Sequence, residues 1–202
     1  MEIILTAKDR KRIEESILQK YAKVSESPEG LFTYPTGPAG LQALRYAPKI
    51  IRALPEPILA FYCGVGNPFS PGLIRKGETV LDIGCGGGVD TLVAAMMVGP
   101  KGKVVGIDPV PEMLERARRN PRETTFGNIT FQEASAEALP FTDESVDVVI
   151  SNGVFNLVPD KAKALREVFR VLKPNGRLTI ADQVLTGKIE GDAKQRVGSW
   201  FR

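Results

Sequence analysis

Val80-Leu-Asp-Ile-Gly-Cys-Gly-Gly-Gly88 decides the fold. With Thr79 it opens as a short apolar run, Thr79–Ile83, that reads as a buried strand and stops on a cluster of glycines. A strongly apolar segment, Thr91–Val98, follows at once and reads as a buried helix. A glycine-rich turn between a strand and a helix lets backbone approach a ligand closely, and the helix start offers free N–H groups to it.

The same alternation continues downstream. Lys103–Ile107 is the second strand and closes on Asp108. A helix with Pro111 near its start ends before Asn120-Pro121. Ile129–Glu133, Val146–Ser151 and Arg177–Ala181 are strands three to five, the last preceded by a Pro174-Asn175-Gly176 turn. Asp160–Leu172 reads as a helix with Leu165, Val168, Phe169 and Leu172 on one apolar stripe. Repeated strand-helix-strand units predict an α/β domain: a Rossmann-like parallel sheet with helices on both faces, over residues 71–202. Ligands of such sheets sit at the carboxyl ends of the strands, where the strand order switches.

Upstream, residues 1–70 read as an N-terminal helical extension and lid. Residues 7–24 form an amphipathic helix with Ile13, Ile17, Tyr21 and Val24 on one face, and Thr6 with Asp9 resembles a capping box. Residues 25–40 carry Pro28, Gly30, Pro35, Gly37, Pro38 and Gly40 and read as a loop or lid with no regular element. Short helical pieces follow, up to a second turn-rich stretch, Cys63-Gly-Val-Gly-Asn-Pro68.

Composition narrows the chemistry. The chain has 202 residues, a net charge of +3, two cysteines and no histidine. The absent histidine excludes Ser-His-Asp and Cys-His catalysis and histidine-ligated metals, and two cysteines are too few for a four-ligand zinc site. Neither a metal nor a nucleic-acid partner is expected, because the basic residues are interleaved with acids. No apolar run reaches a membrane span and no secretory signal opens the chain, so the expected location is the cytoplasm, with no membrane partner.

Two cofactors could use the glycine loop. The dinucleotide fingerprint G-x-G-x-x-G/A wants a small sixth residue, and from Gly84 that residue is Val89. The loop instead reads G-x-G-x-G with Asp82 two residues before it, which suits S-adenosylmethionine (AdoMet): an acid near the loop can meet the ammonium of its amino-acid tail. Asp108 can accept hydrogen bonds from two ribose hydroxyls, or serve as a cap for the helix that follows. The backbone of Ala134–Phe141, which includes Ser135, Ala136 and Glu137, is placed to read the adenine edge, with Ser135 as the side-chain partner. Ser151 to Asn156 would pass under the sulfonium and face the acceptor. The expected cofactor site is Asp82, Gly84, Cys85, Gly86, Asp108, Pro109, Ser135, Ala136, Glu137, Ser151 and Asn152. Tyr34, Cys63, Gly153 and Phe155 are the candidates for the acceptor side. Tyr34 and Tyr62 are the candidates for a general base, and no catalytic residue is assigned.

Val80–Gly88, Val105-Gly-Ile-Asp108, Ala136-Glu-Ala-Leu-Pro-Phe141 and Arg170-Val-Leu-Lys-Pro-Asn-Gly176 together resemble the class I AdoMet methyltransferases. Ser151-Asn-Gly-Val-Phe-Asn-Leu-Val-Pro-Asp-Lys161 and Val98–Met113 are similar to segments of the arsenite methyltransferases, and Cys63-Gly-Val-Gly-Asn-Pro68 resembles that family's cysteine-glycine loop. The resemblance implies that Asp82, Gly84, Gly86, Asp108 and Ala136 line the cofactor site. The sequence also departs from that family. Where the family has a cysteine between Asn152 and Val154 the chain has Gly153, and no cysteine follows Cys85. Trivalent arsenic favours several thiolates, so the expected acceptor is another small molecule, with S-adenosylhomocysteine as the other product. A methyltransferase of the quinone-precursor type and a non-catalytic AdoMet-binding protein are the alternatives. The class I fold, as the resemblance implies, has two further strands after the fifth. The tail from Gln183, with Val197, Trp200 and Phe201 at helical spacing, reads as a helix cut off midway. An unpaired fifth strand would invite a homodimer through that edge, or cover by the N-terminal helix.

Overall fold

Five strands, β1 (Thr79–Ile83), β2 (Lys103–Asp108), β3 (Ile129–Glu133), β4 (Val146–Asn152) and β5 (Leu172–Ala181), form one sheet in the computed structural model of the chain. The structure describes residues 5–69, 73–120 and 126–184. The order is β3-β2-β1-β4-β5 and every pairing is parallel. The chain thus winds from β1 to one side through β2 and β3, then returns to the other side of β1 with β4. The switch between β1 and β4 opens the crevice expected of a Rossmann-like sheet.

Seven helices are described: α1 (Ala7–Glu26), α2 (Gly37–Ala43), α3 (Pro48–Ala53), α4 (Glu56–Leu59), α5 (Val89–Val98), α6 (Pro111–Arg119) and α7 (Lys161–Val171). Alternation along the strands divides the core. Leu81, Ile83, Ile107 and Val149 pack with Ala164, Val168 and Val171 of α7. Val80, Val104, Val148 and Ile150 pack with Ala94, Ala95 and Val98 of α5. The opposite face of α5, Val89, Leu92 and Val93, is covered by Leu41, Tyr46, Ile58 and Tyr62 of the N-terminal extension. That double burial is why α5 is apolar on every side from Leu92 to Val98.

The capping box of α1 is present: Asp9 N–H donates to Thr6 Oγ1, and the Asp9 carboxylate accepts from Thr6 N–H. This helix packs on α6, and Arg10 reaches Asp160 at 3.7 Å. It therefore lies over the carboxyl ends of the strands and does not cover the β5 edge. The stretch expected as irregular loop ends early, because Gly37-Pro38 starts α2, a proline position that helices accept. The buried stripe of α7 is Ala164, Val168 and Val171; Leu165 is 43% and Phe169 83% exposed. Of the expected stripe, Val168 is buried and Leu172 packs against the same core, while Leu165 and Phe169 turn outward. The first residue of β5, Leu172, pairs with Val146, and the Pro174-Asn175-Gly176 turn survives as a bulge before Arg177 pairs with Val148. The expected tail helix at Val197–Phe201 lies outside the described residues, as does anything that follows Val184.

Candidate cofactor and acceptor site

A cavity of about 370 Å³ opens at the carboxyl ends of β1, β2 and β4. Its floor is the glycine loop, and the left-handed backbone of Gly84 (φ +71°) is required there. A Cβ at Gly84 would overlap the side chain of Val154, so only glycine lets the β4–α7 connection close down beside the loop.

Asp108 stands on the cavity wall at the end of β2. Each of its oxygens accepts one backbone N–H at 2.9 Å, Oδ2 from Gly86 and Oδ1 from Val110. The carboxylate is thus oriented by both flanking loops and keeps further lone pairs for a ligand. Burial raises its pKa to about 6, opposed by the N–H groups of Val110 and Gly86.

Pro109, Ser135, Ala136 and Glu137 form the adjoining wall, with Gly86 and Asn152. Ser135 Oγ accepts from Glu137 N–H, a tight local turn, and Glu137 Oε1 accepts from Asp160 N–H at the start of α7. Of the acceptor-side candidates, Cys63 and Gly153 line the cavity. The Cys63 thiol is pushed up to about 12, mainly by burial, and is protonated at neutral pH.

Five expected site residues stand off the cavity wall. Asp82 is buried on the α5 face of β1, where it accepts from Thr91 Oγ1 at 2.6 Å. Cys85 is buried, and a Cβ at Gly106 would press against its own Cβ. Ser151 donates to the Ile83 carbonyl at 3.2 Å and is buried. Phe155 belongs to the core beneath α7. Tyr34 donates to the Cys63 carbonyl at 3.1 Å and so braces that loop, and burial raises its pKa. The hydroxyl of Tyr62 is likewise spent on the Gly66 carbonyl at 2.9 Å.

One wall was not anticipated. Glu14, Ile17, Leu18 and Tyr21 of α1 line the cavity opposite the glycine loop. The sequence signalled an apolar face of α1, and only its packing on α6 turns part of that face to the cavity.

The comparisons with known proteins fit this geometry. The arsenite methyltransferase of Halobacterium salinarum is 44% identical over 131 residues, 65% of this chain and 34% of its own length. The ubiquinone/menaquinone biosynthesis C-methyltransferase of Pasteurella multocida is 46% identical over 111 residues, 54% of this chain and 41% of its own. The crystal structure of an arsenic(III) S-adenosylmethionine methyltransferase from Chlamydomonas reinhardtii is 36% identical, with a TM-score of 0.56, covering 74% of this chain and 50% of that one. The chain spans less than half the length of the two curated relatives. Residues 74–201 match a family of methyltransferase domains. A match that takes in all five strands and the floor of the cavity places the chain in the methyltransferase domain family.

Proposed function

We propose that the cavity binds AdoMet and that the chain directs its methyl group to a small-molecule acceptor, releasing S-adenosylhomocysteine. The observation that carries this reading is Asp108: an oriented carboxylate on the cavity wall, joined through Gly86 N–H to the glycine loop. The residues fit the cofactor. Asp108 would hold the ribose hydroxyls, the Gly84–Gly86 backbone would admit the amino-acid tail, and the Ser135–Glu137 turn would border the adenine. Asp82 would act on the tail from beneath the loop.

When bound, AdoMet supplies an activated sulfonium methyl, so the hard chemistry belongs to the cofactor. The protein's part is to align the acceptor and exclude water. Ile17, Leu18 and Tyr21 of α1 with Leu157 and Val158 give the acceptor side an apolar wall. Residues 1–70 act in this reading as a lid over the cofactor-holding residues 71–202. Calorimetry is expected to give micromolar binding of S-adenosylhomocysteine and negligible binding of NADH. Tighter binding of NADH would overturn the cofactor assignment. Release of S-adenosylhomocysteine from AdoMet over an acceptor panel separates an enzyme from a non-catalytic AdoMet-binding protein.

Arsenite is expected to be methylated weakly or not at all. Cys63 is the one thiol on the cavity wall among the described residues, and Gly153 stands where a second would be needed. Robust conversion of arsenite in the presence of a small thiol would show that added thiols complete the site. The apolar wall instead favours a carbon-skeleton acceptor of the quinone-precursor type.

Among the described residues no helix is long and apolar enough to cross a membrane. We place the protein in the cytoplasm, acting without a nucleic-acid partner. We also propose a homodimer through the β5 edge, supported by the edge position of β5 among the described strands and by the exposure of Ile180 within it. Light scattering is expected to give twice the chain mass, and a monomer at high concentration would exclude the dimer.

A further inference from the structure

Asn152 reaches the cavity wall, yet its side chain has nothing left to offer a ligand. Its Oδ1 accepts from the N–H groups of Val65 at 2.9 Å and Gly66 at 3.0 Å. Its Nδ2 donates to the Gly66 carbonyl and to Asp90 Oδ2, each at 2.9 Å. An amide has two donor hydrogens and two lone pairs on its oxygen, and all four are committed inside the protein. Asp90, buried in the first turn of α5, accepts from Asn152 through Oδ2 and from the Tyr46 hydroxyl through Oδ1 at 2.7 Å.

The loop is shaped to this pair. A Cβ at Gly64 would overlap Asn152 Nδ2 and the Tyr62 hydroxyl, and a Cβ at Gly66 would crowd the Ala181 Cβ at 2.6 Å. Glycine allows that close approach, and it leaves Gly64-Val65-Gly66 with more conformational freedom to lose than any other residues would. Hydrogen bonds from a fixed partner restrict that freedom. Cys63, next in the chain, stands on the cavity wall, and Val65 packs beside Gly153, on the same wall.

We infer that Asp90 and Asn152 are positioning residues, a latch that fixes the Cys63–Gly66 loop on the carboxyl end of β4 and so sets the acceptor-side wall. The inference rests on the reading of the cavity as a methyl-transfer site. Asn152 then acts through the loop and makes no polar contact to the cofactor.

The test uses Asn152→Asp, Asp90→Asn, the double exchange and Tyr46→Phe. Two quantities are read: the rate of Cys63 alkylation by iodoacetamide, followed by peptide mass spectrometry with buried Cys85 as internal control, and S-adenosylhomocysteine affinity by calorimetry. Asn152→Asp sets two carboxylates against each other. It is expected to raise Cys63 alkylation about tenfold or more, as loss of a buried hydrogen bond implies; Tyr46→Phe, off the cavity wall, is expected to raise alkylation with ligand affinity changed less than about threefold. The double exchange restores a carboxamide facing a carboxylate and is expected to return the rate to within about threefold of the parent. Unchanged Cys63 alkylation in the single variants, a double exchange as reactive as either of them, or a loss of ligand affinity in Tyr46→Phe as large as its gain in alkylation would overturn the latch. If Asn152→Asp does not fold, Tyr46→Phe decides: it removes one donor to Asp90, and an unchanged rate overturns the proposal. Failure of the parent protein to bind S-adenosylhomocysteine would refute the cofactor reading and leave the latch to be judged by alkylation alone.

Discussion

Replacing Asp108 by alanine is expected to weaken S-adenosylhomocysteine binding about a hundredfold or more in calorimetry, as loss of two charge-assisted hydrogen bonds at about 1.5–3 kcal/mol each implies. The geometry makes the effect specific. Both oxygens are held by backbone, Gly86 N–H from the loop after β1 and Val110 N–H from the turn before α6. The carboxylate therefore needs little reorganisation on binding. Asp108→Asn keeps the shape and one acceptor oxygen, so its loss should fall between the parent and the alanine variant. Fold stability should not follow the same ranking. Alanine removes a carboxylate that is costly to bury and leaves two N–H groups without their acceptor, and these effects oppose one another. An unchanged dissociation constant in Asp108→Ala would reduce Asp108 to a brace for the turn before α6.

The sheet was legible because its signals are local. Thr79–Ile83 and Lys103–Asp108 are largely apolar runs and Ile129–Glu133 opens on an alternating one, and the three strands form within a residue of the expected bounds. The apolar run Leu92–Val98 of α5 announced its own burial, but not that Tyr46, Ile58 and Tyr62 from the N-terminal extension would cover the helix. The amphipathic pattern of α7 was legible and its phase was not. Leu165 and Phe169 outweigh Ala164 on any hydrophobic scale, yet the small side chain faces the sheet. Asp108 and Gly84 line the cavity as the sequence reading expected, because strand ends fix their positions. Asp82 shows the limit of that reasoning: strand alternation turns it to the α5 face, where it meets Thr91. The latch could not be read, because Asn152 is 87 residues from Val65 and 62 from Asp90 in the chain and meets them only once the sheet and α5 have packed. Gly64 and Gly66 were its one trace, visible as a turn-rich stretch with no stated partner.

Raising the pH from 5 to 8.5 is expected to lower the unfolding temperature of the ligand-free protein by several degrees. Asp82, Asp90 and Asp108 are buried around the glycine loop, and burial raises all three above the ordinary carboxylate range. Mutual repulsion with Asp90 pushes Asp82 further up. In the unfolded chain each carboxyl releases its proton near 3.8. Above that value the folded chain therefore holds protons that the unfolded chain has lost. Stability then falls as pH rises and goes on falling until the folded carboxyls have ionised. For Asp108, with a folded pKa of about 6, the part lost above pH 5 is about 1.4 kcal/mol. In a chain of this size that corresponds to ~3–6 °C, and Asp82 and Asp90 act in the same direction. Glu167, held down to about 2 by its hydrogen bonds with Arg170, changes charge below this window, and Cys63 titrates above it. Asp108→Asn should flatten the slope by its own share. AdoMet carries one net positive charge and should gain affinity as these carboxylates ionise, more than uncharged S-adenosylhomocysteine does. An unfolding temperature that stays level or rises between pH 5 and 8.5 would mean that the three aspartates are ionised throughout and compensated by groups other than those described around the loop.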